Sequence, residues 1–409
     1  MGPLTDRFCI VGVGETAHMR PSHRTTLSMA LEAVKNACDD AGLKPSDIDG
    51  ITSYNSQGDS CSGVQIGQSL GMRLNYAVDI NGGGSSTEAL ICNVVGLLAG
   101  GYAKRIVIFR SMNGRSGRRM GGQTPSGPMP PMPVMGPGDL GRIWGFTTPA
   151  QMFGISCMRY MKEYGMKPET LGKIAQAHRR NALQNPKSIM RDRGPITMDD
   201  YLNSRWVSKP FRILDCCLET DVFAAMVVVA REEAYDLKHP PVFVMGGTAR
   251  TSTEQPAWNY SRESIHKVGG FYGRQRLFGM SGVSQDDIDL MSSYDAFTFT
   301  AMIQLEAYGF AKRGEAADYV AAGNLDLDGR RPQNTSGGHL SEGYTHGISM
   351  VIENVRQLRH RADDFCPRWR EGIHTYDRDK GCRQVKKAEI GACLGWANET
   401  TSSSAILRR

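Results

Sequence analysis

The chain has 409 residues, 40% hydrophobic and 22% charged, with a formal net charge of +6 at pH 7. That length allows two domains or one large α/β unit with a sizeable buried core, and the charged fraction is that of an ordinary globular protein. The mild positive charge suits an anionic ligand but is not the clustered charge of a nucleic-acid binder. Its 10 cysteines form no CxxC, so neither a zinc ribbon nor a redox dithiol is expected, and they read as reduced, mostly buried thiols of a cytoplasmic protein. No uninterrupted apolar run reaches membrane-spanning length.

In chain order, Phe8–Val13 reads as a first strand, too short and without the basic lead of a signal peptide. A helix over about Thr25–Ala41 follows, with Leu27, Leu31, Val34 and Cys38 on one face. Gly82–Gly84 leads into Ser85-Ser86-Thr87-Glu88, a Ser-x-x-Glu capping box that predicts a helix start. Leu90, Val94, Leu97 and Leu98 give that helix an apolar face, Gly100-Gly101 ends it, and Arg105–Phe109 is a strand. Residues 112–210 read as a long insertion. Within it Gln123–Gly138, rich in Pro and Met, is expected to be an ordered loop or lid, and Lys167-Pro168-Glu169 starts a helix with Leu171, Ile174 and Ala175 inward. In the second half Gly337-Gly338 and Gly343–Gly347 lead into a helix over Ile348–Leu358, then a strand over Ala388–Cys393.

The chain repeats itself. Ser46–Tyr54 (SDIDGITSY) and Asp286–Tyr294 (DDIDLMSSY) match at Asp47, Ile48, Asp49, Ser53 and Tyr54 against Asp287, Ile288, Asp289, Ser293 and Tyr294, at a constant offset of 240 (294 minus 54). Each copy follows a small Gly-containing turn, Ala41-Gly42 and Ser281-Gly282. Each half therefore reads strand, Gly-rich turn, helix, strand, which predicts a duplicated α/β protein with parallel sheets covered by helices, divided into residues 1–240 and 241–409.

Several motifs fail on inspection. Gly12-Val-Gly14-Glu-Thr-Ala17 fits GxGxxA, but a dinucleotide fold needs its helix to begin at that turn, and Pro21 and His23 intervene. Gly82–Ser86 lacks the Lys-Ser/Thr of a P-loop. With no HExxH and no carboxylate-rich loop, no metal centre is expected.

The duplicated pattern, the Gly-rich strand-to-helix turn and Asn334–Gly347 (NTSGGHLSEGYTHG) resemble thiolases, closest to the lipid-transfer or sterol-carrier branch. Leu214–Ala225 (LDCCLETDVFAA) resembles that branch's segment before the second half. The resemblance implies two βαβαβαββ halves in a five-layer α-β-α-β-α core with a loop insertion. Thiolases carry a nucleophilic Cys on the first-half turn and two histidines in the second half. On this sequence the Cys position falls at Gly83, one His position at Tyr294 within Tyr294-Asp295-Ala296-Phe297, and the other at Tyr344 within Gly343-Tyr344-Thr345.

Without a thiol at position 83 no acyl-enzyme forms by the thiolase route. The tyrosine pair without cysteine looks like the steroid side-chain aldolases of this branch. By that resemblance the substrate is a β-hydroxyacyl-CoA steroid, and the products are a 17-ketosteroid and propionyl-CoA. Tyr294 and Tyr344 are then the acid/base pair. Backbone N–H groups of the Gly82–Gly84 turn, namely Gly83 and Gly84, and Gly395 after the last strand are expected to hold the enolate, with Asn81, Asp295 and His346 as supporting residues. His339 and His346 flank Tyr344 and could polarise the thioester, although structural hydrogen bonds are the commoner use of loop histidines. Cys393 reads as structural, and Arg115, Arg118 and Arg119 as a solvated basic loop rather than phosphate ligands.

The resemblance also implies no bound cofactor beyond the coenzyme A of the substrate and a homodimer through the thiolase core. A small OB-fold, zinc-ribbon partner would complete a heterotetramer. Two other functions stay open: an acyltransferase or condensing enzyme with a different nucleophile, and a non-catalytic acyl-CoA or lipid carrier.

Overall fold

The computed structural model describes residues 2–56, 58–117, 145–146, 148–253, 264–362, 383–398 and 400–409. The loop expected at Gln123–Gly138, with Arg118 and Arg119, lies outside them.

The elements, in order, are β1 (Phe8–Glu15), α1 (Thr26–Ala41), β2 (Gly50–Asn55), α2 (Gly63–Leu70), β3 (Tyr76–Asn81), α3 (Ser86–Ala99) and β4 (Arg105–Asn113). Next come α4 (Pro149–Tyr164), α5 (Pro168–Leu183), α6 (Met198–Asn203), β5 (Trp206–Ser208), β6 (Phe211–Arg212), β7 (Asp221–Ala230), α7 (Arg231–Ala234) and β8 (Val242–Ser252). The chain continues with α8 (Gly269–Ser281), β9 (Leu290–Ser293), α9 (Thr298–Ala307), α10 (Ala316–Ala321), α11 (Gly338–Ser341), α12 (Ile348–Leu358), β10 (Ile390–Asn398) and β11 (Thr401–Arg408). No described helix is long and apolar enough to cross a membrane.

Strands run β3-β2-β4-β7-β1-β8-β11-β10-β9. The link between the two groups is thin, with Cys9 and Ile10 of β1 opposite Phe243 and Val242 of β8. Pairing is parallel at the outer ends, β3-β2-β4 and β9-β10, and antiparallel through the middle. The expected parallel sheets are thus mixed: β7 runs antiparallel to both β4 and β1, and β11 antiparallel to both β8 and β10.

Side-chain alternation along the strands separates three apolar cores. Val107, Phe109, Ala225 and Val227 pack with α1 residues Ala30, Ala33, Val34 and Ala37. Ile106, Ile108, Met226 and Val228 face the other way, onto Leu90 and Val94 of α3 and Val351 and Val355 of α12. Met245, Met291, Leu394 and Ile406 cover the far side with Leu277 and Phe278 of α8. Helix, sheet, helix pair, sheet, helix is the five-layer arrangement. The packed face of α1 is built from small residues, with Leu27 and Leu31 only partly buried. This permits close approach to β1: a Cβ on Gly12 would lie 2.8 Å from Ala41 Cβ. The GxG of β1 serves that helix–strand contact.

The repeated aspartates do the same work twice. Asp47 Oδ2 accepts the Lys44 N–H at 2.8 Å, and Asp287 Oδ2 accepts that of Ser284 at 2.7 Å, each closing a short turn. Asp49 then accepts the N–H groups of Lys104 and Arg105, at 3.0 and 2.8 Å, where β4 begins. Asp289 accepts those of Glu389 and Ile390, both at 3.0 Å, where β10 begins.

Candidate active site

Tyr294 follows β9 directly, its backbone N–H donating to the Leu394 carbonyl of β10 at 2.9 Å. Thr300 Oγ1 and Gln304 Nε2, both from α9, donate to its carbonyl at 3.1 Å each. Tyr344 sits on the Gly-rich segment between α11 and α12. Its N–H donates to Thr220 Oγ1 at 2.8 Å, and that hydroxyl donates back to the Tyr344 carbonyl at 3.1 Å. So anchored, the two phenol oxygens meet at 2.7 Å, with the side chains 4% and 7% exposed. Burial pushes both phenols well above their usual pKa, and each phenol is further affected by its partner and by the nearby Cys217 thiol. Both are neutral at physiological pH. The Cys217 thiol is itself held protonated by burial.

Asp295, one residue on, is fully buried. It lies 2.9 Å from His178 Nδ1 on α5 and 3.2 Å from His339 Nδ1, and accepts the His339 N–H at 2.9 Å. Burial disfavours its charge, but the bonds to His178 and His339 outweigh it and hold the carboxyl well below the usual carboxylate range. His339 Nε2 accepts the Gly347 N–H at 3.1 Å, which fixes the ring proton on Nδ1 facing Asp295. Both nitrogens are thus committed, so His339 polarises no thioester. Its ring fills the angle between the phenols, 4.8 Å from Tyr294 and 4.9 Å from Tyr344 between centroids.

The Gly82–Gly84 turn lies against Tyr294. A Cβ on Gly84 would come under 3.0 Å from Tyr294 Cε2 and Cζ and from the Trp396 carbonyl, so only glycine fits there. Trp396 N–H donates to the Gly84 carbonyl at 3.1 Å. The Gly82 N–H is spent on the Asn55 carbonyl at 2.9 Å. Among the described residues, the N–H groups of Gly83 and Gly84 have no acceptor. They stand at the N-terminus of α3, where backbone dipoles favour negative charge. Gly395 is present for room: a Cβ there would lie 2.7 Å from Ser403 Oγ and collide with the Glu88 carboxylate.

The capping box does not form. Ser85, at φ −94° and ψ 15°, lies outside the extended conformation of an N-cap and makes no side-chain cap bond, while the Glu88 carboxylate accepts from Ser403 Oγ at 3.0 Å. Burial raises Glu88 to about 7. Asn81 is not brought to the phenols. It lies exposed at the end of β3, the edge strand of the sheet, with its carbonyl accepting from Arg250 at 2.9 Å. Cys393 is fully buried, and Asn354 Nδ2 donates to its sulfur at 3.0 Å, a structural setting. The Arg115 guanidinium lies 3.8 Å from Glu219. Glu15, His18 and Glu342 offer ligand atoms within 4.8 Å of one another, but Arg356 and Lys187 already pair with Glu15 at 2.6 and 3.2 Å.

The site contains residues the sequence reading passed over. His178 lies on the buried face of α5, one turn from Ile174, a spacing that could have marked it. Tyr54, the echo partner of Tyr294, donates to the His346 carbonyl at 2.7 Å. Thr220, Arg110 and Asp59 carry no local signal.

The comparisons agree with this architecture. Residues 271–409 match the family model described as thiolase C-terminal domain-like. The chain is 37% identical to a steroid side-chain-cleaving aldolase of Thermomonospora curvata, over 88% of this chain and 92% of that one. It is 36% identical to the 17-hydroxy-3-oxo-4-pregnene-20-carboxyl-CoA lyase of Mycobacterium tuberculosis, over 87% and 92%. A solved structure described as an Ltp2-ChsH2(DUF35) aldolase superposes with a TM-score of 0.85 at 32% identity, covering 99% of this chain and 98% of that one. This chain belongs to the thiolase superfamily, in the family of the steroid side-chain-cleaving aldolases.

Proposed function

We propose that this chain is a carbon–carbon lyase that cleaves a steroid β-hydroxyacyl-CoA by retro-aldol chemistry, releasing a 17-ketosteroid and propionyl-CoA. The observation carrying the reading is the 2.7 Å contact between the hydroxyls of two buried side chains, Tyr294 and Tyr344. Two neutral phenols in contact can move a proton without either becoming a free phenolate. One takes the proton of the tertiary hydroxyl as its own proton passes to the other. The Cα–Cβ bond breaks, its electrons form the thioester enolate, and the second phenol protonates the enolate carbon. The net change is one proton moved from oxygen to carbon, and no covalent intermediate is required.

Gly83 and Gly84 hold the enolate oxygen with N–H groups at the start of α3, and Gly395 forms part of the wall behind them. Asp295 positions the pair through His339, whose ring the phenols share. The coenzyme A is part of the substrate. The chain works as a cytoplasmic homodimer, its halves 1–240 and 241–409 forming one catalytic unit. It also binds a small OB-fold, zinc-ribbon protein of the DUF35 type, in a heterotetramer. The likeness to the Ltp2-ChsH2(DUF35) aldolase supports that partnership.

Purified chain with its DUF35 partner is to be mixed with a 17-hydroxy steroid acyl-CoA. Ketosteroid and propionyl-CoA should appear in equal amounts, with the intact mass of the chain unchanged during turnover. An acyl adduct on the chain that forms and decays at the turnover rate would overturn the reading in favour of a nucleophilic mechanism.

A further inference from the structure

His346 is 2% exposed and held in the left-handed region at φ 56°. Three contacts fix it. Its carbonyl accepts the Tyr54 hydroxyl at 2.7 Å, and its ring packs edge-on against Tyr344 with centroids 5.1 Å apart. The third contact decides its chemistry: Arg110 Nη2 lies 2.9 Å from His346 Nδ1. A guanidinium has no lone pair to offer, so it donates and Nδ1 accepts. The single ring proton is therefore on Nε2. Arg110 is 1% exposed, and the same Nη2 binds Asp59 Oδ2 at 2.6 Å, so the lock is itself anchored.

Protonating Nδ1 would place an imidazolium against a guanidinium in a buried site. Burial and the Arg110 charge accordingly push the imidazole well below its usual pKa. Among the described residues, no protein acceptor lies within hydrogen-bonding reach of Nε2. A donor left without a protein partner on a side chain only 2% exposed is open to a ligand or to water.

We infer that His346 is a fixed, neutral hydrogen-bond donor, oriented by the Asp59–Arg110 pair so that its Nε2–H donates a hydrogen bond to a substrate oxygen beside Tyr344. This inference rests on the tyrosine-pair reading and adds a third polar contact to it. His346 does not shuttle protons. Arg110 and Asp59 are positioning residues that set which nitrogen carries the proton.

The test uses the chain in complex with its partner and a 17-hydroxy steroid acyl-CoA. Glutamine places an amide N–H near the Nε2 position and has no basicity. His346→Leu should lower kcat by about 100-fold, the scale of losing one donor in an anion site, while His346→Gln should recover to within about tenfold of wild type. If the leucine variant does not fold, His346→Asn replaces it: its amide reaches only the Nδ1 position, and it should be as impaired as leucine was expected to be. Equal loss in the glutamine and leucine (or asparagine) variants would show that imidazole basicity is needed and overturn the donor role. Full kcat in the leucine variant, with Tyr294→Phe and Tyr344→Phe impaired, would remove His346 and leave the tyrosine reading standing. Full activity in both tyrosine variants would overturn that reading and this inference together.

Discussion

Gly84→Ala adds one methyl group at the point where the glycine turn meets Tyr294. That methyl would lie under 3.0 Å from Tyr294 Cε2 and Cζ and from the Trp396 carbonyl oxygen. Restoring the ~3.5 Å spacing of carbons in contact requires the ring and the turn to part by about 1 Å. The ring has little freedom to retreat. Its backbone is tied to Leu394, Thr300 and Gln304, its hydroxyl to Tyr344 at 2.7 Å, and its edge to His339. The turn is held in turn by the Trp396 N–H at 3.1 Å. Overpacking of this kind costs about 1–3 kcal/mol of stability. A reacting group misplaced by about 1 Å loses on the order of 100-fold in rate. The variant should therefore still fold, melt several degrees lower, and show kcat down by roughly two orders of magnitude with a smaller change in KM. Thermal melting and steady-state cleavage of a 17-hydroxy steroid acyl-CoA measure both. Wild-type kcat in a folded Gly84→Ala chain would refute the claim that the turn and the Tyr294 ring form one rigid reaction surface.

Asp295→Asn removes the charge that accepts from His178 and His339, and losing hydrogen bonds to a buried charged group costs about 1.5–3 kcal/mol. Because the native carboxyl is held below its ordinary value, its contribution is present above the unfolded pKa and fades as pH falls through the folded one. Urea melts should show a large deficit at pH 7 that narrows toward pH 3, and a constant deficit would contradict the assignment. Glu88 carries the opposite sign. Burial raises its carboxyl from 4.5 to about 7, so its stabilising term is complete below about 4.5 and is lost as pH rises through 7. That gap corresponds to roughly 3 kcal/mol. Glu88→Gln should flatten the decline of stability between pH 5 and 8, and an unchanged slope would place the titration elsewhere.

The sequence made visible what depends on local chemistry and repetition. Helix starts at Thr25 and Pro168 are set by residues adjacent in the chain, and α12 lies over Ile348–Leu358 as its pattern requires. The echo at Asp47 and Asp49 marked hydrogen bonds that recur at Asp287 and Asp289, because duplicated folding units reuse the same turn. What stayed hidden is tertiary. The Ser85–Glu88 pattern predicts a cap, but the tertiary fold holds Ser85 outside the N-cap conformation and presents Ser403 of β11 to the Glu88 carboxylate. Thr220 clasps Tyr344 from 124 residues away, and Arg110 reaches His346 across 236, separations at which no periodicity carries information. The mixed strand pairing escaped for the same reason, since β7 and β11 choose neighbours by packing that a single strand's pattern does not encode.

The most direct measurement is the rate of steroid acyl-CoA cleavage by Tyr294→Phe and Tyr344→Phe, each with the proposed DUF35 partner. Phenylalanine keeps the ring and its packing against His339 and removes only the oxygen that the proposed relay needs. Each variant should fold as the wild type does and lose more than ~10-fold in cleavage, the low end of acid–base contributions. Undiminished cleavage by both would contradict the proton relay.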